Sequence, residues 1–344
     1  VPGKTMLEKR SFMMNHLDYV RKLLITEPRG YPCQNANVIF QLDGERLAED
    51  LDSQENADSV DAETEEVSKY GYVIMEQNMV YPPMSGHNTI CVATALLETG
   101  MVPMIEPVTR FTLEAPSGNI KIRAICEKGK AKEITLRNVP CFVEHVDVTV
   151  LVPEIGDVTC SVAYGGMWYC IVDADSIGLK LTPENGKNIC RLGEMIKVSC
   201  RYQYPVLHPE INYEGCDILV FRTSATPNSG AHAKNAVVMS NTKLDWNDPQ
   251  TWTGMIDRSP CGTGTSAVMA LLHAKGELAL GEEFVHESII GTFFKGKIVE
   301  ETTVANKKAI VPEISGQAWI TQYCQIVIHP TDPFPEGYKV SDIW

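Results

Sequence analysis

The chain has 344 residues, with 44 Asp and Glu against 30 Lys and Arg and a formal net charge of −14. This length is sufficient for two hydrophobic cores, and the negative charge argues against nucleic acid or an anionic membrane surface as a partner. The eleven cysteines form no C-x-x-C pair and no zinc-ligand spacing, and no run is apolar enough to span a membrane. We therefore expect reduced, mostly buried thiols in a cytoplasmic protein that holds no metal.

The first predicted element is a helix near the start of the chain. Thr5 and Glu8 have capping-box spacing, and four apolar residues follow at helical intervals: Met13, Leu17, Val20 and Leu24. The sequence Glu27-Pro28-Arg29-Gly30 ends this helix. The next stretch, 43–66, is dense in Asp and Glu with Arg46 as its only basic residue. Such a composition is typical of a solvated or partly disordered loop.

Strands and helices alternate in the rest of the chain. The pattern predicts strands at 72–75 and 236–239, hairpins at 111–124 and 289–299, β structure at 139–172 and 317–328, and a helix at 183–200. The two hairpins are expected to turn at Pro116-Ser117-Gly118 and at Lys295-Gly296. The mixture predicts an α+β protein.

An internal repeat is the strongest feature of the sequence. Ser85-Gly86-His87-Asn88-Thr89 and Cys261-Gly262-Thr263-Gly264-Thr265 lie 176 residues apart, and each follows a strand-like run and opens an apolar helical run. The glycines Gly100 and Gly276 close the two runs at matching positions. A repeat of this length indicates two related halves. We expect an N-terminal lobe at 1–150, completed by the C-terminal segment at about 325–344, and a second lobe at 151–324.

The repeated motif places Ser85 and Cys261 at the start of a helix. Helix N-termini offer unpaired backbone N–H groups and positive potential, which together bind anions. Glycine after each residue lets a ligand approach the backbone closely. The N–H groups of four residues are therefore predicted to hold a substrate carboxylate: Gly86, His87, Gly262 and Thr263.

The side chains around the motif indicate acid–base chemistry. A cysteine at a helix N-terminus has its thiolate favoured, so Cys261 is expected to ionise near neutral pH. Asp257, four residues earlier, is placed to accept from a cationic amine, and His87 is expected to hydrogen-bond within the site. The other cysteines, Cys91 included, are interpreted as core residues. The chain has no G-x-G-x-x-G turn, Walker A motif or zinc cluster, so no cofactor is expected.

The sequence resembles the proline racemase superfamily over nearly its whole length. The most specific string is Asp257-Arg258-Ser259-Pro260-Cys261-Gly262-Thr263-Gly264-Thr265, together with Met84-Ser85-Gly86-His87-Asn88. Four further segments are similar to family positions: Glu27-Pro28-Arg29-Gly30, Ala163-Tyr164-Gly165-Gly166, His208-Pro209 and Ser315-Gly316.

The resemblance implies a diaminopimelate-epimerase-like fold, in which two pseudo-symmetric lobes each wrap a sheet around a central helix and flank the active site. It also implies a cofactor-independent reaction at the Cα of proline or a hydroxyproline. In relatives, one residue removes the α-proton and its partner delivers a proton to the opposite face. On this basis Ser85 and Cys261 are the catalytic pair, the substrate is a small molecule, and a homodimer is expected.

Two departures from the family pattern bear on the reaction. Proline racemases carry cysteine at both catalytic positions, whereas this chain has Ser85 at the first, and neutral serine is a far weaker base than a thiolate. Similar Ser/Cys members catalyse 2-epimerisation of 4-hydroxyproline or dehydration of trans-3-hydroxyproline, although dedicated dehydratases usually have threonine where this chain has Cys261. Relatives also begin with a His-x-x-Gly-Glu-like strand that this sequence lacks.

Three functions follow as alternatives. The first is 2-epimerisation of trans-4-hydroxy-L-proline to cis-4-hydroxy-D-proline, with dehydration of trans-3-hydroxy-L-proline as a side activity. The second is a lyase whose main activity is that dehydration. The third is a non-catalytic protein that binds an imino acid, with Ser85 marking a lost active site. A cysteine hydrolase that uses Cys261 is disfavoured, because no sequence feature nominates its base histidine.

Overall fold

The computed structural model describes residues 1–31, 33–42 and 70–340. The acidic stretch at 43–66 lies outside the described residues. The chain divides into two compact units, one formed by 1–136 with 317–340 and the other by 137–316. None of the helices in the described ranges is long and apolar enough to cross a membrane.

The described part of unit 1 contains five β-strands and three α-helices. The helices are α1 (Met6–His16), α2 (Asp18–Ile25) and α3 (Gly86–Glu98), and the strands are β1 (Ala36–Gln41), β2 (Tyr70–Met75), β3 (Val108–Ala115), β4 (Gly118–Glu127) and β5 (Lys130–Arg137). The strands lie in sequence order, and the β2–β3 pair is parallel while the others are antiparallel. The predicted hairpin at 111–124 is confirmed, with its turn between Ala115 and Gly118.

The N-terminal helix begins as its capping box predicts but is interrupted at Leu17. The Thr5 hydroxyl accepts from the Glu8 backbone, and the Glu8 carboxylate accepts from the Thr5 backbone. Leu17 then leaves the helical conformation (φ −130°, ψ 22°) and ends α1, so the apolar period continues into a separate helix, α2. α2 ends just before Glu27, as predicted, and Glu27 pairs with Tyr338 of the C-terminal segment.

Unit 2 contains a sheet that closes on itself. The strands of this unit are β6 (Cys141–Val152), β7 (Gly156–Tyr164), β8 (Trp168–Asp173), β9 (Val206–Leu207), β10 (Glu214–Gly215), β11 (Ile218–Ser224), β12 (Ala233–Ser240), β13 (Gly254–Ile256), β14 (Glu283–Glu287), β15 (Phe293–Val304) and β16 (Lys307–Gly316), and its helices are α4 (Gly186–Gln203) and α5 (Gly262–Ala274). The short strands β9 and β10 pair with each other in a separate sheet. The order β6-β7-β8-β11-β12-β14-β15-β16 returns to β6 through pairing of Ile310 with Cys141. A barrel closed in this way has no free edge along these strands.

The barrel surrounds helix α5, which packs against β6, β7, β8, β15 and β16. Eleven of its thirteen residues are buried, so the helix is covered on all sides. The wall approaches it closely at two glycines. A Cβ at Gly165 would lie 2.1 Å from the Thr263 carbonyl oxygen, and one at Gly296 would lie 2.3 Å from the Met269 sulfur. A larger residue at Gly165 would displace the helix backbone, and one at Gly296 would force the Met269 side chain to move.

Two sequence predictions about β structure are wrong. The second hairpin turns at 288–292, and Lys295-Gly296 lies inside β15, because Gly296 is required for close packing against α5 rather than for a turn. The segment 317–328 is not a strand, although its sequence is rich in β-forming residues. In the described structure its backbone forms no ladder with another strand, and a strand exists only through such a ladder.

The boundaries of the two units also differ from the predicted 150/151 and 324/325. They lie at 136/137 and 316/317, and residue 150 falls inside β6. The three strands β6, β7 and β8 form one antiparallel sheet within the barrel, so a cut at 150 would divide paired backbone.

Candidate active site

Ser85 is the residue that precedes helix α3. Its backbone is extended (φ −153°, ψ 122°), and within the described structure its hydroxyl makes no capping bond to the backbone of the helix. The Ser85 side chain is 7% exposed. A serine in this position usually caps the helix. Because Ser85 does not, its hydroxyl remains available for another role.

An amide side chain donates to the Ser85 hydroxyl instead. The Asn88 Nδ2 lies 2.9 Å from Ser85 Oγ and 3.0 Å from His87 Nε2, and Asn88 Oδ1 accepts from Asn37 Nδ2 at 2.8 Å. Since Ser85 Oγ accepts from Asn88, its own proton is left to be donated elsewhere. His87 Nε2 also accepts a hydrogen bond from Asn35 Nδ2 at 3.0 Å. Asn88 therefore links the His87 imidazole to the Ser85 hydroxyl.

Replacing Asn88 by alanine is expected to destabilise the protein and to slow turnover. Asn88 is 2% exposed, and its loss leaves the Asn37 amide without this acceptor and Ser85 Oγ without this donor. Unsatisfied buried polar groups of this kind cost about 1–3 kcal/mol. Denaturant unfolding and steady-state kinetics measure the two effects. Unchanged stability and turnover would show that these bonds are not maintained in solution.

Cys261 precedes helix α5 in a strained backbone conformation. Its φ of 60° and ψ of 117° lie outside the regions that non-glycine residues prefer. Conformations of this kind cost about 1–3 kcal/mol and persist only where surrounding bonds enforce them. Here the carbonyl of the preceding Pro260 accepts from Asn235 Nδ2 at 2.7 Å and from Thr265 Oγ1 at 3.1 Å. These two buried donors hold the turn that presents the cysteine.

The Cys261 sulfur lies among three hydrogen-bonding groups. Tyr169 Oη is 3.3 Å away, the Gly264 backbone N–H donates at 3.4 Å, and Thr263 Oγ1 is 3.7 Å away. The sulfur is nevertheless buried, and burial raises the pKa of the Cys261 thiol to about 12, with the charge of Asp257 adding to the increase and the three hydrogen bonds opposing it. The expectation that this thiol ionises near neutral pH is therefore wrong for the ligand-free chain.

Asp257 is linked to the same turn. Its Oδ1 accepts from the backbone N–H of Ser259 at 2.8 Å, and the Ser259 hydroxyl accepts from the Cys261 backbone N–H at 3.1 Å. The Asp257 side chain is buried. Its carboxylate is close enough to raise the pKa of Cys261, so a cation bound to Asp257 would lower that pKa again.

The two helices begin with the same hydrogen bond, although the backbone of Ser85 is extended and that of Cys261 has a positive φ. In α3 the first intrahelical bond runs from the Thr89 N–H to the Ser85 carbonyl at 3.0 Å, and in α5 it runs from Thr265 to Cys261 at 2.8 Å. Three N–H groups precede this bond at each helix start, and they include those of the four residues predicted to bind the carboxylate: Gly86, His87, Gly262 and Thr263. At each terminus two of these donors follow the candidate catalytic residue directly.

The remaining cysteines are not all core residues. Cys33, Cys91 and Cys324 are exposed, so the prediction for Cys91 is wrong; it lies on the outward side of α3. The sulfurs of Cys160, Cys170 and Cys200 lie within 4.8 Å of one another, all buried among apolar side chains. They come from β7, β8 and α4, and spacing along the sequence could not reveal such a group of potential metal ligands.

Sequence reasoning missed three residues that organise the site: Asn88, Tyr169 and Asn235. Asn88 lies within the first motif, three residues after Ser85, a separation that places two side chains on one face of a helix. Its amide was therefore detectable. Tyr169 and Asn235 precede Cys261 by 92 and 26 residues and meet its turn only in the folded barrel. No local pattern marks them.

The chain matches the family model described as proline racemase over residues 1–47 and 54–339. It is 38% identical over 339 residues to the 4-hydroxyproline 2-epimerase of Streptosporangium roseum, which covers 98% of this chain and 91% of that protein. It is 37% identical over 338 residues to the proline racemase of Clostridioides difficile, with 98% and 91% covered.

Solved structures agree with these sequence relatives. A probable proline racemase from Agrobacterium radiobacter with bound carbonate has a TM-score of 0.81 and 33% identity, covering 100% of this chain and 91% of that one. A hydroxyproline epimerase from Agrobacterium vitis with bound trans-4-hydroxy-L-proline has a TM-score of 0.81 and 31% identity, covering 100% and 89%. The expected α+β fold is thus confirmed. The chain belongs to the proline racemase family and is an amino-acid racemase or epimerase.

Proposed function

We propose that this enzyme converts trans-4-hydroxy-L-proline into cis-4-hydroxy-D-proline by exchanging the proton on Cα without a cofactor. The observation that carries the proposal is the pair of matched helix starts with serine at one and cysteine at the other. Two relatives add support, namely the 4-hydroxyproline 2-epimerase at 38% identity and the hydroxyproline epimerase whose structure holds trans-4-hydroxy-L-proline. The Ser/Cys pair disfavours a symmetrical reaction between two thiols.

The substrate carboxylate binds to backbone N–H groups in this proposal. Those of Gly86 and His87 precede the first intrahelical bond of α3, and those of Gly262 and Thr263 precede that of α5. Helix termini favour a negative charge without any arginine. When the α-proton leaves, charge spreads from Cα onto the carboxylate, so the same donors stabilise the reaction's intermediate more strongly than its substrate.

Asp257 couples substrate binding to the ionisation of Cys261. The protonated ring nitrogen of the substrate pairs with the Asp257 carboxylate, which cancels part of the charge that keeps the thiol protonated. The thiol then loses its proton to solvent, and the thiolate removes the α-proton. Ser85 delivers its hydroxyl proton to the opposite face and recovers one from water, while Asn88 continues to donate to its oxygen.

A panel of three substrates tests the proposal: L-proline, trans-4-hydroxy-L-proline and trans-3-hydroxy-L-proline. We expect a change in optical rotation and incorporation of solvent deuterium at Cα with the 4-hydroxy substrate. Loss of water and imine absorbance from the 3-hydroxy substrate as the fastest reaction would establish the lyase alternative. Stabilisation by ligand without deuterium incorporation would indicate binding alone. Chelator dialysis is included to test the expectation that no metal is needed.

Replacing Asp257 by asparagine is expected to raise the KM for the substrate and to lower the pKa of Cys261. The KM for the hydroxyproline rises because the ring nitrogen loses its counter-charge. The pKa of Cys261 falls because the charge that raises it is gone, so alkylation of the ligand-free enzyme at pH 8 becomes faster. Peptide mass spectrometry after iodoacetamide treatment measures the second effect. An unchanged KM would leave Asp257 with a structural role only.

The assembly and compartment complete the proposal. All eleven cysteines are free, which supports a reducing, cytoplasmic environment. A homodimer is expected from the family resemblance. Light scattering at micromolar concentration measures the mass of the protein in solution. A mass equal to that of one chain would refute the homodimer.

A further inference from the structure

Tyr169 is a fully buried residue on the barrel wall next to the N-terminus of α5. Its hydroxyl lies 3.3 Å from Cys261 Sγ and 2.6 Å from Thr263 Oγ1. We propose that Tyr169 is a positioning residue that donates a hydrogen bond to the Cys261 sulfur and stabilises its thiolate. The hydrogen bond between Tyr169 and Cys261 is inferred from the distance between the two groups. Its importance for catalysis rests on the proposed function.

The placement of Tyr169 follows from the alternation of β8. Trp168, Cys170 and Val172 pack in the apolar core that also contains α4 residues. Successive side chains of a strand point to opposite faces, so Tyr169 points the other way, toward α5. Its side chain is 0% exposed, and a buried hydroxyl requires a partner. Both partners that the structure gives it belong to the helix start, Cys261 and Thr263.

The direction of the hydrogen bonds follows from the chemistry of the three groups. A thiolate only accepts, so in that state the Tyr169 proton points to the sulfur, and the Thr263 hydroxyl is free to donate to the Tyr169 oxygen. Burial, together with the nearby Cys261 and Tyr213, raises the pKa of Tyr169 well above its usual value. The tyrosine therefore keeps its proton throughout the working pH range and always acts as a donor.

The charged and titratable groups that act on Cys261 come from three places. Asp257 precedes the turn and raises the pKa of the thiol, whereas Tyr169 on β8 and the N–H of Gly264 on α5 lower it. The Thr263 hydroxyl, whose one proton is donated to Tyr169, acts through that residue. Tyr169 is the titratable member of this stabilising set. Hydrogen bonds to a charged group are about twice as strong as neutral ones, so its removal affects the thiolate more than the thiol.

The test replaces Tyr169 by phenylalanine, which keeps the ring and removes the hydroxyl. The rate of Cys261 alkylation by iodoacetamide is measured against pH in the ligand-free full chain by peptide mass spectrometry. We expect the pKa of Cys261 to rise by about one unit. At any pH well below this pKa, the rate of Cys261 alkylation then falls about tenfold, because the thiolate fraction falls by that factor. The exposed Cys33, Cys91 and Cys324 in the same digest provide reference rates that do not change.

Tyr164→Phe is the matched control, since Tyr164 is a buried barrel tyrosine that packs against Trp168 and Phe142. It should leave the alkylation profile unchanged. Circular dichroism checks the fold of each variant. If Tyr169→Phe does not fold, Thr263→Val removes the hydroxyl that orients Tyr169, and a smaller upward shift in the same direction is expected.

Epimerase kinetics separate this inference from the proposed function. In Tyr169→Phe the acidic limb of kcat/KM should move upward with the thiol pKa. An unchanged alkylation profile in both Tyr169→Phe and Thr263→Val overturns the role of Tyr169, even if the wild type epimerises hydroxyproline. A shifted thiol pKa in an enzyme that is inactive on the substrate panel would support the hydrogen bond and refute the proposed function.

Discussion

Replacing Cys261 by serine is expected to abolish both epimerisation and exchange of the α-proton, starting from either epimer. The sulfur is the proposed base, and hydrogen bonds from the Tyr169 hydroxyl and the Gly264 N–H support its thiolate. A serine hydroxyl in the same place cannot ionise without a strong base beside it. Removal of a general base typically costs about 100- to 10,000-fold in rate. The loss should appear in kcat, because the backbone N–H groups that are proposed to bind the carboxylate remain.

Proton NMR in deuterated water measures both reactions in one experiment. Cys91→Ser is the matched control, because Cys91 is exposed on helix α3 and should leave both rates unchanged. The strained backbone at residue 261 is retained with serine, so the unfolding midpoint should also change little. Persistent α-proton exchange in Cys261→Ser would show that another group is the base.

The sequence was most informative where one local pattern was repeated. The motifs at Ser85 and Cys261 predicted two helix starts, and the structure has a thirteen-residue helix after each. The closure of the barrel could not be predicted from the sequence, because the pairing of Ile310 with Cys141 joins residues that are far apart in the chain. The local pattern at Lys295-Gly296 predicts a turn, because it carries no information on what packs against Gly296 in the folded barrel. The small size of Gly296 is needed by the Met269 side chain, which only the folded barrel brings there.

Two opposing effects act on the ionisation of Cys261, the helix terminus and burial, and their magnitudes decide which one prevails. The helix terminus favours a negative charge by about 0.3–1 kcal/mol. Since one pKa unit is equivalent to about 1.4 kcal/mol, that is less than one unit. Full burial can shift a pKa by about 3–5 units in the opposite direction. Sequence alone located the helix start but gave no measure of the burial, and burial is the larger effect.

Ser85→Ala is expected to stop epimerisation while leaving one exchange reaction intact. In the proposed mechanism Cys261 still faces one side of the substrate, so the α-proton of the epimer bound with that side toward it continues to exchange with solvent deuterium. The other epimer has lost the group that reaches its α-proton. We therefore expect epimerisation to fall about 100- to 10,000-fold, with exchange preserved in a single epimer.

The structure argues against a capping role for Ser85. Ser85 makes no capping bond to α3 in the described structure, and after its removal the Asn88 amide still bonds to His87. The free energy of unfolding should therefore fall by no more than about 1 kcal/mol. Ser85→Cys is the matched rescue, because a second thiol can take over proton transfer at this position and should restore epimerisation. If Ser85→Ala epimerises at the wild-type rate, the two-residue mechanism is wrong, and proton delivery to the second face must come from water or another side chain.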